Sequence, residues 1–320
     1  MERVTTRRNP SPSCLVSTIA TFLSGQDLVE SDDIHRSLEN EITAAGPTAV
    51  SRLLDRLADG DSAWSYYPPD PLARRMHHVL AAKLLHPDCT LSGTANLQAV
   101  RDEPVVLFSN HLSYADANLV EILVKRSPAS ELADRLTAVA GPKVYTNRRR
   151  HFSSLCFGTI RTPQSHVLST GEATMNARDV ARAARQSIAA AQERLARRDA
   201  LLVFGEGTRS RQGTMQRMLA AGARYLEACD AWVLPVGITG TEELFPIGEP
   251  GLQPVRANVT VGRPLRGADL LQASEGNRQL LMDAVGIAVS EVLPEGYRGV
   301  YVSDGPALRE ARGLLSDLRQ

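Results

Sequence analysis

Two short blocks of this 320-residue chain hold side chains able to do chemistry together. The first reads Asn110 His111 Leu112 Ser113 Tyr114 Ala115 Asp116 and comes just after the apolar run Pro104 to Phe108. The second, about ninety residues later, reads Phe204 Gly205 Glu206 Gly207 Thr208 Arg209 Ser210 Arg211. With a turn between them, Asp116 can curl back and accept the Nδ1 proton of His111, which leaves Nε2 as a general base. No Gly-x-Ser-x-Gly elbow occurs in the chain, so an activated substrate hydroxyl would have to attack directly. Arg209 and Arg211 can each grip a phosphate through two parallel hydrogen bonds. Gly205 and Gly207 would let the backbone approach a ligand closely. Each block also has a plainer reading: Asp116 as the N-cap of a following helix, and the arginine turn as a solvated surface loop. Dinucleotide binding is rejected, because Ser210 stands where the third glycine of that fingerprint is needed.

The elements that must position these residues alternate. Short apolar runs at Val105–Phe108, Leu136–Ala140, Leu155–Ile160, Leu201–Phe204, Trp232–Ile238 and Ala257–Val261 read as strands. Between them, helical spacing covers Ala117–Lys125, Asn176–Arg197, Thr214–Cys229 and Glu275–Val292. This is the α/β pattern. His111 then falls in the loop where a buried strand becomes a helix, the place where ligands of open α/β sheets gather. The first ninety residues differ. Leu28–Leu57 reads as two helices broken at Gly46 and Pro47, and Leu72–Leu85 as a third after a proline-rich turn. The expected organisation is a small helical domain over residues 1–89 and an α/β domain over 90–320, with a frayed polar terminus at residues 1–12.

Hydrophobic residues at 43% and charged residues at 22% exclude a disordered or fibrous chain. Four scattered cysteines, Cys14, Cys89, Cys156 and Cys229, have no pairing or metal-ligand spacing, so a reduced, cytoplasmic protein is expected. No stretch reaches the roughly 18 apolar residues of a spanning helix, which predicts a soluble protein or one peripheral to a membrane. The formal net charge of +0 conceals a basic segment: 14 Lys and Arg against 5 Asp and Glu between Pro142 and Arg217. That segment could meet a phosphate or an acidic protein, although some of its arginines simply solvate a long helix. His77, His78, His86 and Cys89 lie on or beside one helix, and packing or solvation is expected of them rather than a metal site.

In combination, Asn-His-x4-Asp and Phe-x-Glu-Gly-Thr-Arg-Ser-Arg resemble the glycerolipid acyltransferase superfamily, which includes glycerol-3-phosphate and 1-acylglycerol-3-phosphate acyltransferases. Thr159 Ile160 Arg161 Thr162 is similar to a further family block. So are Val233 Leu234 Pro235 Val236 Gly237 Ile238, and Leu293 Pro294 Glu295 Gly296 Tyr297 Arg298. The likeness covers about residues 90–300. The layout, including Val139–Val144 and the long interval from Arg161 to Glu206, resembles soluble plastid-type glycerol-3-phosphate acyltransferases. The wording Glu206 Gly207 Thr208 Arg209 is more similar to the 1-acylglycerol-3-phosphate enzymes, so the acceptor stays open. Gly205 stands where proline is common. The resemblance implies a mixed sheet flanked by helices, glycerol-3-phosphate acyltransferase-like, with a helical N-terminal domain. It implies acyl-CoA or acyl carrier protein as co-substrate, with no cofactor, and a peripheral membrane contact without any role for nucleic acid. His111 would be the base, oriented by Asp116. Arg161, Arg209, Arg211 and Lys143 would bind the acceptor phosphate, with Glu206, Gly207 and Thr208 in the motif loop. Two alternatives are a non-glycerolipid hydroxyl or amine acceptor, and a silent lipid- or phosphate-binding scaffold.

Overall fold

A computed structural model of the chain describes residues 13–17, 31–58, 64–145, 148–163, 176–227, 229–244 and 254–320; the stretch 1–12 lies outside them. Among the described residues nine strands make one mixed sheet: β1 (Tyr66–Tyr67), β2 (Thr90–Ser92), β3 (Val105–Ser109), β4 (Leu136–Ala140), β5 (Gly158–Arg161), β6 (Ala200–Phe204), β7 (Trp232–Thr239), β8 (Asn258–Val261) and β9 (Leu265–Arg266). The order is β1-β5-β4-β6-β3-β7-β8-β2, with β9 paired to β7.

All five residues of β3 are buried, and an uninterrupted apolar run of that kind needs cover on both faces. Accordingly β3 lies inside the sheet, parallel to β6 on one side and β7 on the other. Its side chains alternate. Val105 and Leu107 join one buried cluster, Val106 and Phe108 the other, so the sheet divides two cores. Strands β5, β4, β6, β3 and β7 run parallel, which brings their carboxyl ends to one edge. The edge pairs β1–β5 and β7–β8 are antiparallel.

Seven helices matter to the site: α1 (Ser31–Ala58), α2 (Pro71–Leu84), α3 (Asp116–Lys125), α4 (Arg148–Ser154), α5 (Ala177–Ala196), α6 (Arg278–Glu291) and α7 (Pro306–Asp317). Helix α1 is two helices meeting at Gly46, whose φ of 76° and ψ of 168° break the ladder just before Pro47. Helix α2 begins where Asp70 accepts hydrogen bonds from the Leu72 and Ala73 amides and Pro71 fills the first turn. It buries Leu72, Met76, Leu80 and Leu84, one stripe at four-residue spacing. Leu38, Ile42 and Leu53 of α1 share a buried cluster with Leu107 and Ile238 of the sheet, and Tyr66–Tyr67 supplies an edge strand. Among the described residues the N-terminal region is helical apart from that two-residue strand and the turns between elements. Among the described residues no helix is long and apolar enough to cross a membrane.

Two sequence expectations are corrected. The run Leu155–Ile160 is a strand only from Gly158, because α4 ends at Ser154 and the chain turns before entering the sheet. Thr214–Cys229 is not an α-helix. The chain bends at Thr214, has no regular structure through Leu219, then forms a 3-10 helix over Ala220–Tyr225. Backbone amides there are taken by partners outside the segment. Met215 N–H donates to the Tyr297 carbonyl, Gln216 N–H to the Glu206 carboxylate, Met218 N–H to the Tyr301 hydroxyl and Leu219 N–H to the Gly205 carbonyl. Tertiary partners therefore override the helical spacing.

Candidate active site

The block after β3 is fixed by reciprocal bonds to its neighbours. Asn110 donates from Nδ2 to the Ile238 carbonyl at 2.9 Å and accepts the Ile238 amide at 2.8 Å, which locks the end of β3 to β7. His111 follows, with Nδ1 2.8 Å from Asp116 Oδ2. The same oxygen accepts the amides of Leu112 at 2.7 Å and Ser113 at 3.0 Å. Oδ1 accepts the Thr241 hydroxyl at 2.5 Å. Asp116 is fully buried, and as a carboxylate it can only accept, so the Nδ1 proton belongs to the imidazole and Nε2 carries the lone pair. The imidazole stacks on Phe204, centroids 4.1 Å apart and planes 19° from parallel, which fixes the ring plane.

The second block grips the first through the backbone of His111. Ser109 is in register with Phe204, so the loops leaving β3 and β6 lie side by side. Glu206 Oε1 accepts the His111 amide at 2.9 Å, and its Oε2 accepts the Gln216 amide at 2.7 Å. The Ser210 amide donates to the His111 carbonyl at 2.8 Å. Burial pushes the Glu206 carboxyl up to about 7; the two amide bonds oppose that rise, and the charge of Asp116 adds to it. Gly207 turns with φ +68°, the left-handed conformation that glycine adopts without strain. Gly205 has a packing reason as well: a Cβ there would lie 2.6 Å from Met218 Sδ.

A cavity of about 380 Å³ opens at the carboxyl edge of the sheet, lined by His111 and by the loops after β4, β5 and β6. Lys143, Arg150, Arg209 and Arg224 line it, and among the described residues no acidic one does. The guanidinium groups of Arg150 and Arg209 sit over the Tyr114 ring, 4.1 and 4.7 Å from its centroid. Val180, Ala184 and Ile188, one stripe of α5, give the cavity an apolar wall together with Phe157.

Residues 89–239 match the family described as Acyltransferase. The matched segment holds both motif blocks and strands β3 to β7. Among curated proteins none matches the chain. Among solved structures, the 1-acyl-sn-glycerophosphate (LPA) acyltransferase PlsC from Thermotoga maritima is similar at 17% identity. That match covers 87% of this chain and 91% of that one, with a TM-score of 0.47.

Of the residues that the sequence singled out, the structure brings His111, Asp116, Glu206, Gly207, Thr208, Arg209 and Lys143 to one place. Arg211 is exposed and does not line the cavity. Arg161 does not line it either. Its guanidinium lies between the rings of Tyr67 and Tyr145, at 4.6 and 4.1 Å, and its Nε has no hydrogen-bond partner among the described residues. Sequence reasoning missed Arg150 and Thr241. The run Arg148 Arg149 Arg150 was a visible basic signal for the first, whereas nothing local marks the second.

The histidines on and beside α2 pair with carboxylates. His77 and His78 converge on Glu121, each with Nε2 3.1 Å from its carboxylate, while His86 pairs with Asp88. Arg74 donates twice to Glu121 Oε1, at 3.0 and 2.7 Å. Burial alone would raise the Glu121 carboxyl; the bonds and charges of His77 and His78 outweigh it and hold the group well below the ordinary carboxylate range. With one guanidinium and two imidazoles around it, this carboxylate has the partners that a buried anion needs.

Proposed function

We propose that the protein moves an acyl group from a thioester donor, acyl-CoA or acyl carrier protein, to a hydroxyl of glycerol-3-phosphate or its 1-acyl derivative. The observation that carries this reading is one cavity shared by an Asp116-backed imidazole and four cationic side chains, with no acidic lining among the described residues. Such a cavity favours a dianionic phosphate. In the proposed step His111 Nε2 takes the proton of the attacking hydroxyl as its oxygen bonds to the thioester carbon. The tetrahedral adduct then expels the thiolate, which recovers the proton from the imidazolium, giving ester and thiol. Asp116 holds the tautomer and stabilises the imidazolium. A thiol with a pKa of about 8.5 leaves readily, so strong acid assistance is unnecessary.

Arg209 and Arg150, the pair over Tyr114, are the proposed phosphate grip, with Lys143 beside them. Arg161 and Arg211 have a weaker claim from their placement. The apolar wall from α5 suits an alkyl chain. The test is an acyl-transfer screen of both donors against glycerol-3-phosphate, its 1-acyl derivative and phosphate-free alcohols and amines, run with the native chain and His111→Ala. Loss of about 100-fold or more in the variant is expected from removal of a general base. Near-native turnover would end the assignment. Equal rates on phosphate-free acceptors would favour the alternative acceptor class.

A further inference from the structure

We infer that Thr241 is a positioning residue for the transfer reaction, acting on the base through Asp116. The inference rests on the reading of His111 as general base. Asp116 divides its accepting capacity unequally. Oδ2 serves the imidazole and two backbone amides, whereas Oδ1 has Thr241 Oγ1 at 2.5 Å. Both residues are fully buried, so water cannot replace that donor without opening the site. If the hydroxyl is removed, Oδ1 is left as an unpaired anionic oxygen. Rotation of the carboxylate would then bring Oδ1 toward the Leu112 and Ser113 amides and take Oδ2 away from Nδ1. The imidazole would lose the bond that sets its tautomer and tilt. The hydroxyl therefore decides which carboxylate oxygen faces the histidine.

The fold delivers Thr241 to that place by three restraints. Strand β7 runs parallel to β3, and the Asn110–Ile238 bonds fix where it ends. Gly240 then turns the chain with φ +85°, and a Cβ on it would lie 2.1 Å from the Arg256 carbonyl oxygen, so the turn is closed against the neighbouring backbone. Beyond Thr241, the Tyr297 hydroxyl donates to Glu242 at 2.6 Å. Thr241 stands 125 positions from Asp116 and just outside the matched segment 89–239, so neither motif points to it.

The test compares Thr241→Val, which keeps the shape and removes the hydroxyl, with Thr241→Ser, which keeps the hydroxyl. Each is measured alone and combined with His111→Ala. Thr241→Val should lower kcat about 10- to 100-fold, the scale of a misplaced catalytic group, with KM for donor and acceptor changed less than about twofold. Thr241→Ser should restore most of that loss. On the residual rate of His111→Ala, Thr241→Val should cost less than about twofold, because groups that act as one unit are not additive. Three results would each overturn the inference: native kcat in Thr241→Val with His111→Ala inactive, failure of serine to rescue, or an equal fractional loss in the His111→Ala background. Retention of activity by His111→Ala would instead remove the base reading itself, a separate failure.

Discussion

Replacing Glu206 by glutamine should flatten part of the stability–pH profile, and the size of the change follows from the site. The carboxyl is 2% exposed and is pushed up to about 7, against an ordinary value of 4.5. A group whose proton is held more tightly in the folded chain stabilises the fold fully below the unfolded value, and the contribution is lost as pH rises through the folded one. The gap from 4.5 to about 7, at roughly 1.4 kcal/mol per unit, is about 3 kcal/mol, lost between about pH 4.5 and 7. Glutamine cannot ionise and lacks that slope. It also has a single acceptor oxygen for two donors, the amides of His111 and Gln216, so one buried N–H faces another donor at a cost of about 1–3 kcal/mol. Glu206→Gln should therefore be the less stable protein at pH 5, and the deficit should close, or reverse, by pH 8.5. Urea unfolding of both proteins at pH 5, 6, 7 and 8.5 measures the difference, in which all other titrations cancel. Two parallel profiles would refute the reasoning, since they would mean that Glu206 titrates alike in the folded and unfolded chain.

Arg209→Ala should raise the acceptor KM about tenfold with little change in kcat, because a ground-state phosphate contact is removed; steady-state kinetics with varied acceptor measures it. Arg211→Ala, at an exposed position outside the cavity, should change KM by less than about twofold. Glu121→Ala should cost about 3 kcal/mol in urea unfolding at pH 7, since buried His77 and the partly buried Arg74 and His78 lose the anion they share.

Much of the sheet was legible because its interior strands, such as Val105–Phe108 and Leu201–Phe204, are continuous apolar runs with helical spacing between them. The edge was not. Strands β1, β2 and β9 have two or three residues each, too few for any period to register, and they owe their state to a neighbour. Thr214–Cys229 shows the opposite failure, a clear helical spacing defeated by outside acceptors for its amides. At the site, the motif spacing placed Asp116 behind His111 because Asp116 opens the helix that ends the His111 loop. Arg150 and Thr241 reach the same cleft from separate elements, through packing that no local pattern encodes. Glu206 was read as part of a loop that meets the acceptor. It is instead a buried acceptor for two backbone amides.

The bonds that hold both ends of the His111 peptide set an order of events during biosynthesis. A ribosome that has just released residues 110–116 has made a histidine whose backbone partners, Glu206 and Ser210, do not yet exist, and the hydroxyl beneath Asp116 arrives later still. A nascent or prematurely terminated chain thus carries the imidazole without the frame that gives it a direction. Under the proposed reaction, thioester cleavage would require a chain that has closed its sheet around this loop.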